Sequence, residues 1–342
     1  LFGIFRPSIY AIYVLTIALL FYVSGKDIID SNFVLESGLI VIFYSYIEKL
    51  FTPIQNLAEQ FNVLQAALAA GERIYDVLTT KSELEDEEGA IEVDHLDGEI
   101  EFKNVWFAYV EEDWILKDVS FKVNAKENVA FVGATGSGKT TILSLIVRNY
   151  DIQKGQILID GLDIKKYKIA SLRKHIGQML QDVFLFSGTV ESNITLRSDD
   201  ISSDIVKEAC RFVNADKVID KLPNKYNEIV RERGKNFSSG ERQLISFARV
   251  VSHKPNIMIL DEATSNIDTE TEALIQDSLK KMMNIGTMLI VAHRLSTIQH
   301  CDKIIVLKKG RIIESGTHLE LLDKRGHYYN CLLYTSPSPR DA

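Results

Sequence analysis

The sequence predicts an α/β domain with a parallel sheet and an antiparallel β entry, preceded by an all-α hairpin of membrane-spanning length. Three observations predict it. Four apolar runs, Val129 to Val132, Ile257 to Leu260, Met288 to Val291 and Ile304 to Leu307, have the length of strands buried on both faces and are separated by helical segments. Strand-like alternation at Ile100, Phe102, Val105, Phe107 and Tyr109, then at Val119, Phe121 and Val123, precedes the first run. An uncharged stretch from Ser8 to Ser24 lies at the head of the chain.

At 342 residues the chain has room for two or three structural units. Its net charge of −8 argues against a nucleic-acid partner. Three cysteines, Cys210, Cys301 and Cys331, are widely spaced and carry no CxxC pair, so neither a disulfide framework nor a zinc site is expected. The chain has no initiator Met and opens inside an apolar pattern, which implies missing upstream sequence. Residues 331–342, CLLYTSPSPRDA, read as a translated sequencing adapter and are set aside from fold reasoning.

The elements follow in order. Ser8 to Ser24 lies between Arg6-Pro7 and Gly25-Lys26-Asp27, and meets the low end of the roughly 17 to 25 residues that a spanning helix needs. A second stretch, Phe33 to Phe51, carries charges only near its ends, at Glu36 and at Glu48-Lys49, where they can snorkel, and it is expected to complete a membrane hairpin. Arg6 favours a cytoplasmic position for the preceding end. From Pro53 to Leu78, apolar residues at helical spacing suggest a helix leaving the membrane, which closes a partial membrane domain at 1–78. The acidic run 79–98 reads as a solvated linker, and residues 99–330 as the α/β domain.

Chemistry concentrates at four places. Gly133, Ala134, Thr135, Gly136, Ser137, Gly138, Lys139 and Thr140 match GxxxxGK[ST], directly after a predicted strand and before the helical pattern that Thr141 continues. This is the context of a P-loop: glycines let backbone N–H groups wrap phosphate oxygens, Lys139 reaches the outer phosphates, and Thr140 ligates Mg²⁺. A predicted strand ends in Asp261-Glu262, where Asp261 is placed to hold Mg²⁺ through water and Glu262 to polarise an attacking water. His293 follows the next apolar strand, at the edge that would face a γ-phosphate. Finally, Asn236-Phe-Ser-Ser-Gly-Glu-Arg-Gln243 opens a helical pattern, so Ser238 and the backbone around Gly240 offer a second anion site. One nucleotide does not need two such sites from one subunit, which points to a dimer.

This ordered set resembles the ATP-binding cassette (ABC) family, and among its members the exporter half-transporters. The resemblance runs from about Glu99 to Leu322. It implies a RecA-like parallel sheet core with an antiparallel β subdomain and a helical subdomain. It further implies that Tyr109 stacks on adenine and that Gln181 touches Mg²⁺ and relays nucleotide state. Ser238 and Gly240 would contact the γ-phosphate held by a second subunit, Asp268 would cross the dimer interface, and His293 would be the switch histidine. ATP and Mg²⁺ are the implied ligands; a second half-transporter, identical or not, is the implied partner, with membrane lipid and a small-molecule, lipid or peptide cargo. The expected location is a bacterial-type plasma membrane with the cassette in the cytoplasm. Six membrane helices precede the cassette in such proteins, so the hairpin corresponds to the last two, and the chain alone would hydrolyse ATP without transporting.

Departures from the family pattern are confined to a few positions. The signature reads FSSGE where LSGGQ is common, with Ser239 for Gly and Glu241 for Gln. Leu180 replaces a Pro before Gln181, and Arg231 replaces a small residue. Two rival readings are a soluble non-transport ABC ATPase and a nucleotide sensor that does not hydrolyse. The apolar hairpin speaks against the first, and intact Glu262 and His293 against the second.

Overall fold

A run of Leu, Ile, Val and Tyr whose only proline sits in its first turns favours one long helix, and α1 extends over Phe2–Ile29 with Pro7 near its start. The structure, a computed structural model, describes residues 2–29, 37–82, 84–180, 183–261, 268–291 and 295–330. It divides into two units, 1–83 and 84–342.

In the first unit α1 presents Tyr10, Leu15, Leu19 and Tyr22 to the surroundings. A helix apolar on all sides and unburied suits lipid. Among the described residues, the segment Pro7–Ile29 is the one helical stretch long and apolar enough to cross a bilayer, by length and composition only. α2 (Ser37–Thr79) joins the second apolar stretch and the helix expected from Pro53 into one 43-residue helix that runs through Pro53. Tyr13 of α1 meets Phe51 of α2 edge-on at 5.4 Å. The short connection expected between the spans is partly helical, since α1 extends past Ser24 to Ile29.

The second unit begins with the acidic segment. Its acidic side chains are exposed, but Leu96 is buried in the core with Val93 packed beside it, and the backbone is not free. Ile91 N donates to Lys166 O and Lys168 N to Ile91 O, both at 2.8 Å, and Val93 exchanges hydrogen bonds with the Ser171 hydroxyl. Arg148, whose side chain is 1% exposed, donates to Glu85 O at 3.3 Å and to Tyr167 O at 3.2 Å, and pairs with Asp151. Residues 84–98 are therefore a strap on the α/β body.

Strands β1 (Ile100–Ala108) and β2 (Trp114–Val123) pair antiparallel, with Phe102 stacked on Phe121 at 4.5 Å. After β3 (Asn128–Val132) and α3 (Lys139–Ile146) the chain returns through β4 (Lys154–Ile159) and β5 (Leu162–Asp163) to complete a sheet of order β2-β1-β4-β5. α4 (Ile169–Lys174) leads into β6 (Ile176–Met179). A helical excursion follows: β7 (Gly188–Thr189), α5 (Val190–Thr195), α6 (Ser203–Phe212), α7 (Asp216–Ile219), β8 (Ile229–Val230) and α8 (Ser239–Ser252). β9 (Ile257–Asp261), α9 (Thr269–Met282), β10 (Thr287–Val291), α10 (Leu295–Ile298), β11 (Lys303–Lys308), β12 (Arg311–Gly316) and α11 (His318–Asp323) finish the domain. The second sheet has the order β12-β11-β3-β10-β9-β6, parallel except for the β12 edge.

The four apolar runs of the sequence are β3, β9, β10 and β11, the centre of this sheet. Successive side chains point to opposite faces, so each strand feeds two cores. Val129 and Phe131 pack with β1, β2 and α3, whereas Ala130 packs toward α8 and α9. The same alternation divides Leu289 and Val291 from Met288 and Ile290.

Candidate functional site

The loop between β3 and α3 forms because glycine occupies the positions that a side chain would close. A Cβ on Gly133 would run into the Leu307 carbonyl oxygen and lie 2.8 Å from Ser137 Oγ. Gly138 has φ +104°, a left-handed conformation, and a Cβ there would approach Leu116 Cδ2 to 2.7 Å. The turn between β11 and β12 braces the loop from behind, with Gly310 N donating to Ser137 O at 3.1 Å. Ala134, Thr135 and Gly136 are exposed at the tip, while Ser137, Lys139 and Thr141 are buried.

Two polar groups here lack a full complement of protein partners. The Lys139 ammonium is folded back, donating to Gly133 O at 2.8 Å and Ala134 O at 3.1 Å. Burial pulls its pKa below the ordinary lysine value, with the Asp261 charge opposing the shift. The buried Ser137 Oγ has no hydrogen-bond partner within the protein. A buried cation and an unpaired hydroxyl on a glycine-rich loop at a helix start are features of an anion cradle.

Asp261 ends β9, in register with Val291 of β10. The Thr140 hydroxyl donates to Asp261 Oδ2 at 3.3 Å, so the first helical turn of α3 and the strand end meet. A hydroxyl and a carboxylate at one corner, beside a phosphate cradle, form a hard oxygen set that suits Mg²⁺ with phosphate and water completing the shell. Among the described residues no cluster of three His, Cys, Asp or Glu side chains offers a self-sufficient metal cage. Glu262, His293 and Gln181, expected to act as base, switch and relay, lie outside the described residues.

Tyr109, expected to face a base, lies just past β1 and is 51% exposed. Its hydroxyl lies 3.2 Å from Thr141 Oγ1, next to the phosphate loop, and its ring meets Phe107 edge-on at 4.9 Å and Tyr150 at 5.1 Å. Sequence reasoning missed Tyr150; the only signal was an aromatic shortly after the P-loop helix.

Ser238 caps α8. Its Oγ accepts from Glu241 N at 3.2 Å, and Glu241 Oε2 accepts from Ser238 N at 2.7 Å, a reciprocal capping box. Glu241 thus fills the third helical position with the side-chain acceptor that a Gln would also supply in a capping box. Gly240 is buried behind the helix start, and Phe237 anchors the turn in the core. Arg231 lies in the preceding loop, with its amide donating to Asn236 Oδ1 at 3.0 Å, and Leu180 is exposed after β6. Asp268 caps α9, accepting from Thr271 N at 2.9 Å, and these bonds hold its carboxyl below the usual range.

The comparisons with known proteins agree with this arrangement. Residues 116–265 match the model of the ABC transporter family. The chain is 44% identical over 92% of its length to a probable multidrug resistance ABC transporter ATP-binding/permease protein, YheH of Bacillus subtilis (strain 168), of which it covers 46%. It is 42% identical over 85% of its length to a fatty acid ABC transporter ATP-binding/permease protein of Mycobacterium bovis (strain ATCC BAA-935 / AF2122/97), again covering 46% of that protein. A solved bacterial Atm1-family ABC exporter with ATP bound superposes with a TM-score of 0.75 at 33% identity, over 97% of this chain and 57% of that one. The chain thus spans about half the length of the curated relatives it matches. With a phosphate loop, an Asp-ended neighbouring strand and a capped signature helix on one domain, this chain belongs to the ABC transporter family.

Proposed function

We propose that this chain is the ATP-hydrolysing C-terminal part of an ABC exporter half-transporter, which drives a hydrophobic or amphipathic cargo across a membrane. The observation that carries the reading is the corner where Thr140 meets Asp261 at 3.3 Å beside the buried Lys139 and the unpartnered Ser137 hydroxyl. A triphosphate in the cradle replaces the carbonyl partners of Lys139 with phosphate oxygens, and Ser137 gains the partner it lacks. Thr140 and Asp261, with Gln181, would hold Mg²⁺, which would supply positive charge against the charge that develops on the phosphates. Glu262 then orients water in line, and His293 contacts the outer phosphate.

The second phosphate-seeking element, Ser238 at the start of α8, serves a nucleotide on another subunit. Its Oγ accepts from Glu241 N and so keeps its own hydrogen for donation. Each closed pair of cassettes buries two nucleotides, and hydrolysis removes the charge that held the pair shut. Asp268, at the head of α9, faces that interface. The partner is a second half-transporter, and the membrane is of bacterial plasma type with the cassette in the cytoplasm. The names of the relatives, multidrug resistance and fatty acid transport, support an apolar cargo. The backbone pairing of 84–98 with the α/β body supports counting that segment with the cassette, whose expected start is 99. The exposed apolar α1 favours this reading over a soluble ATPase.

Glu262→Gln tests the assignment. The variant should bind Mg·ATP with unchanged affinity and lose phosphate release; hydrolysis near the wild-type rate would show that Glu262 is not the base.

A further inference from the structure

We infer that the turn following the phosphate-loop helix, through Tyr150 and Gln153, positions the aromatic platform for the nucleotide base and so contributes to selectivity for a nucleotide over bare triphosphate. The inference rests on the reading of Tyr109 as the base-stacking residue. Tyr109 lies beyond the last residue of β1, in a position where a half-exposed tyrosine would ordinarily sample several rotamers. Here it is held on three sides. The buried Phe107 meets its ring edge-on at 86°, the Tyr150 ring stands across it at 83° with centroids 5.1 Å apart, and its hydroxyl is hydrogen-bonded to Thr141. Phe107 and Tyr150 are themselves in contact, with centroids 5.7 Å apart, so the three rings form a closed triangle.

The backbone is held as well. The Gln153 carboxamide accepts from Ala108 N at 3.1 Å and donates to Ala108 O at 2.8 Å. Both backbone polar groups of Ala108, the residue before Tyr109, are thereby satisfied by one side chain, which continues the β1 pairing past the point where β4 begins at Lys154. Tyr150 and Gln153 both follow α3, whose first turn carries Lys139 and Thr140. One stretch of chain, 139–153, therefore builds the phosphate end of the site and fixes the ring at the base end. Ordering the ring before the ligand arrives removes that entropy cost from binding, and the benefit applies only to ligands that carry a base.

A purely structural role for the turn would lower affinity for every phosphate ligand alike, so the test compares two ligands. Binding of Mg·ATP and of Mg·tripolyphosphate is measured on the full chain for the wild type, Tyr150→Leu, Tyr150→Phe and Gln153→Ala. Loss of one edge-to-face ring pair should weaken Mg·ATP by about threefold to tenfold. Tyr150→Leu and Gln153→Ala should both show that loss with tripolyphosphate affinity unchanged, and Tyr150→Phe should bind both ligands as the wild type does. Equal losses for the two ligands, or no loss for either, would overturn the inference. Tyr109→Ala separates it from its premise: a selective loss there with none in the turn variants overturns the positioning role alone, and no selective loss there overturns the base platform as well.

Discussion

Asp268, expected to cross a dimer interface, already serves the fold, because its carboxylate is the cap of α9. Its hydrogen bonds from Thr271 depress its pKa, so the stabilisation it provides is complete above the ordinary aspartate range and is lost as pH falls through the lower folded value. Acidification should therefore remove the exchange protection of the Thr271 amide before the core melts. Asp268→Asn, which caps without a charge, should make that protection independent of pH; an unchanged acid transition in the variant would show that another group titrates. The phosphate-loop residues, from Gly133 to Thr141, were legible in the sequence because their spacing is fixed by the ligand. Tyr150 and Gln153 were not, because their partners at Tyr109 and Ala108 lie more than 40 positions earlier in the chain and no local pattern records a long-range contact.

At the scale of elements, strands announced themselves and the strap did not. β3, β9, β10 and β11 are apolar on both faces, which is a property of side chains and so of sequence. The segment 84–98 is held through its backbone and through the buried Leu96, while its many exposed acidic side chains read as a solvated linker, so composition alone did not show the attachment. Arg148 is the strap's main anchor and is itself capped into the turn after α3, where Arg173 donates to the Val147 and Arg148 carbonyls at 3.1 and 2.8 Å. Arg148→Met keeps much of the buried volume and removes the donors to Glu85 O, Lys165 O and Tyr167 O. It should destabilise the cassette by roughly 3 kcal/mol, through the Asp151 charge and the carbonyls left unpaired. Hydrogen exchange should show the loss first at Ile91 and Lys168; uniform loss across the sheet would mean that Arg148 supports the core rather than the strap. The second apolar stretch and the helix expected over 53–78 are one element, since α2 runs on through Pro53.

For the whole molecule, the proposed function puts a magnesium triphosphate at the carboxyl edge of the parallel sheet and reserves the helix start at Ser238 for a nucleotide on another subunit. If hydrolysis runs through the proposed oxygen pair of Thr140 and Asp261, phosphate release by the full chain under saturating ATP and Mg²⁺ should separate the wild type from Asp261→Asn. Removing that charge should lower turnover by about two orders of magnitude or more, while ATP binding without Mg²⁺ stays at the wild-type level. Turnover of Asp261→Asn within a few fold of the wild type would contradict the account.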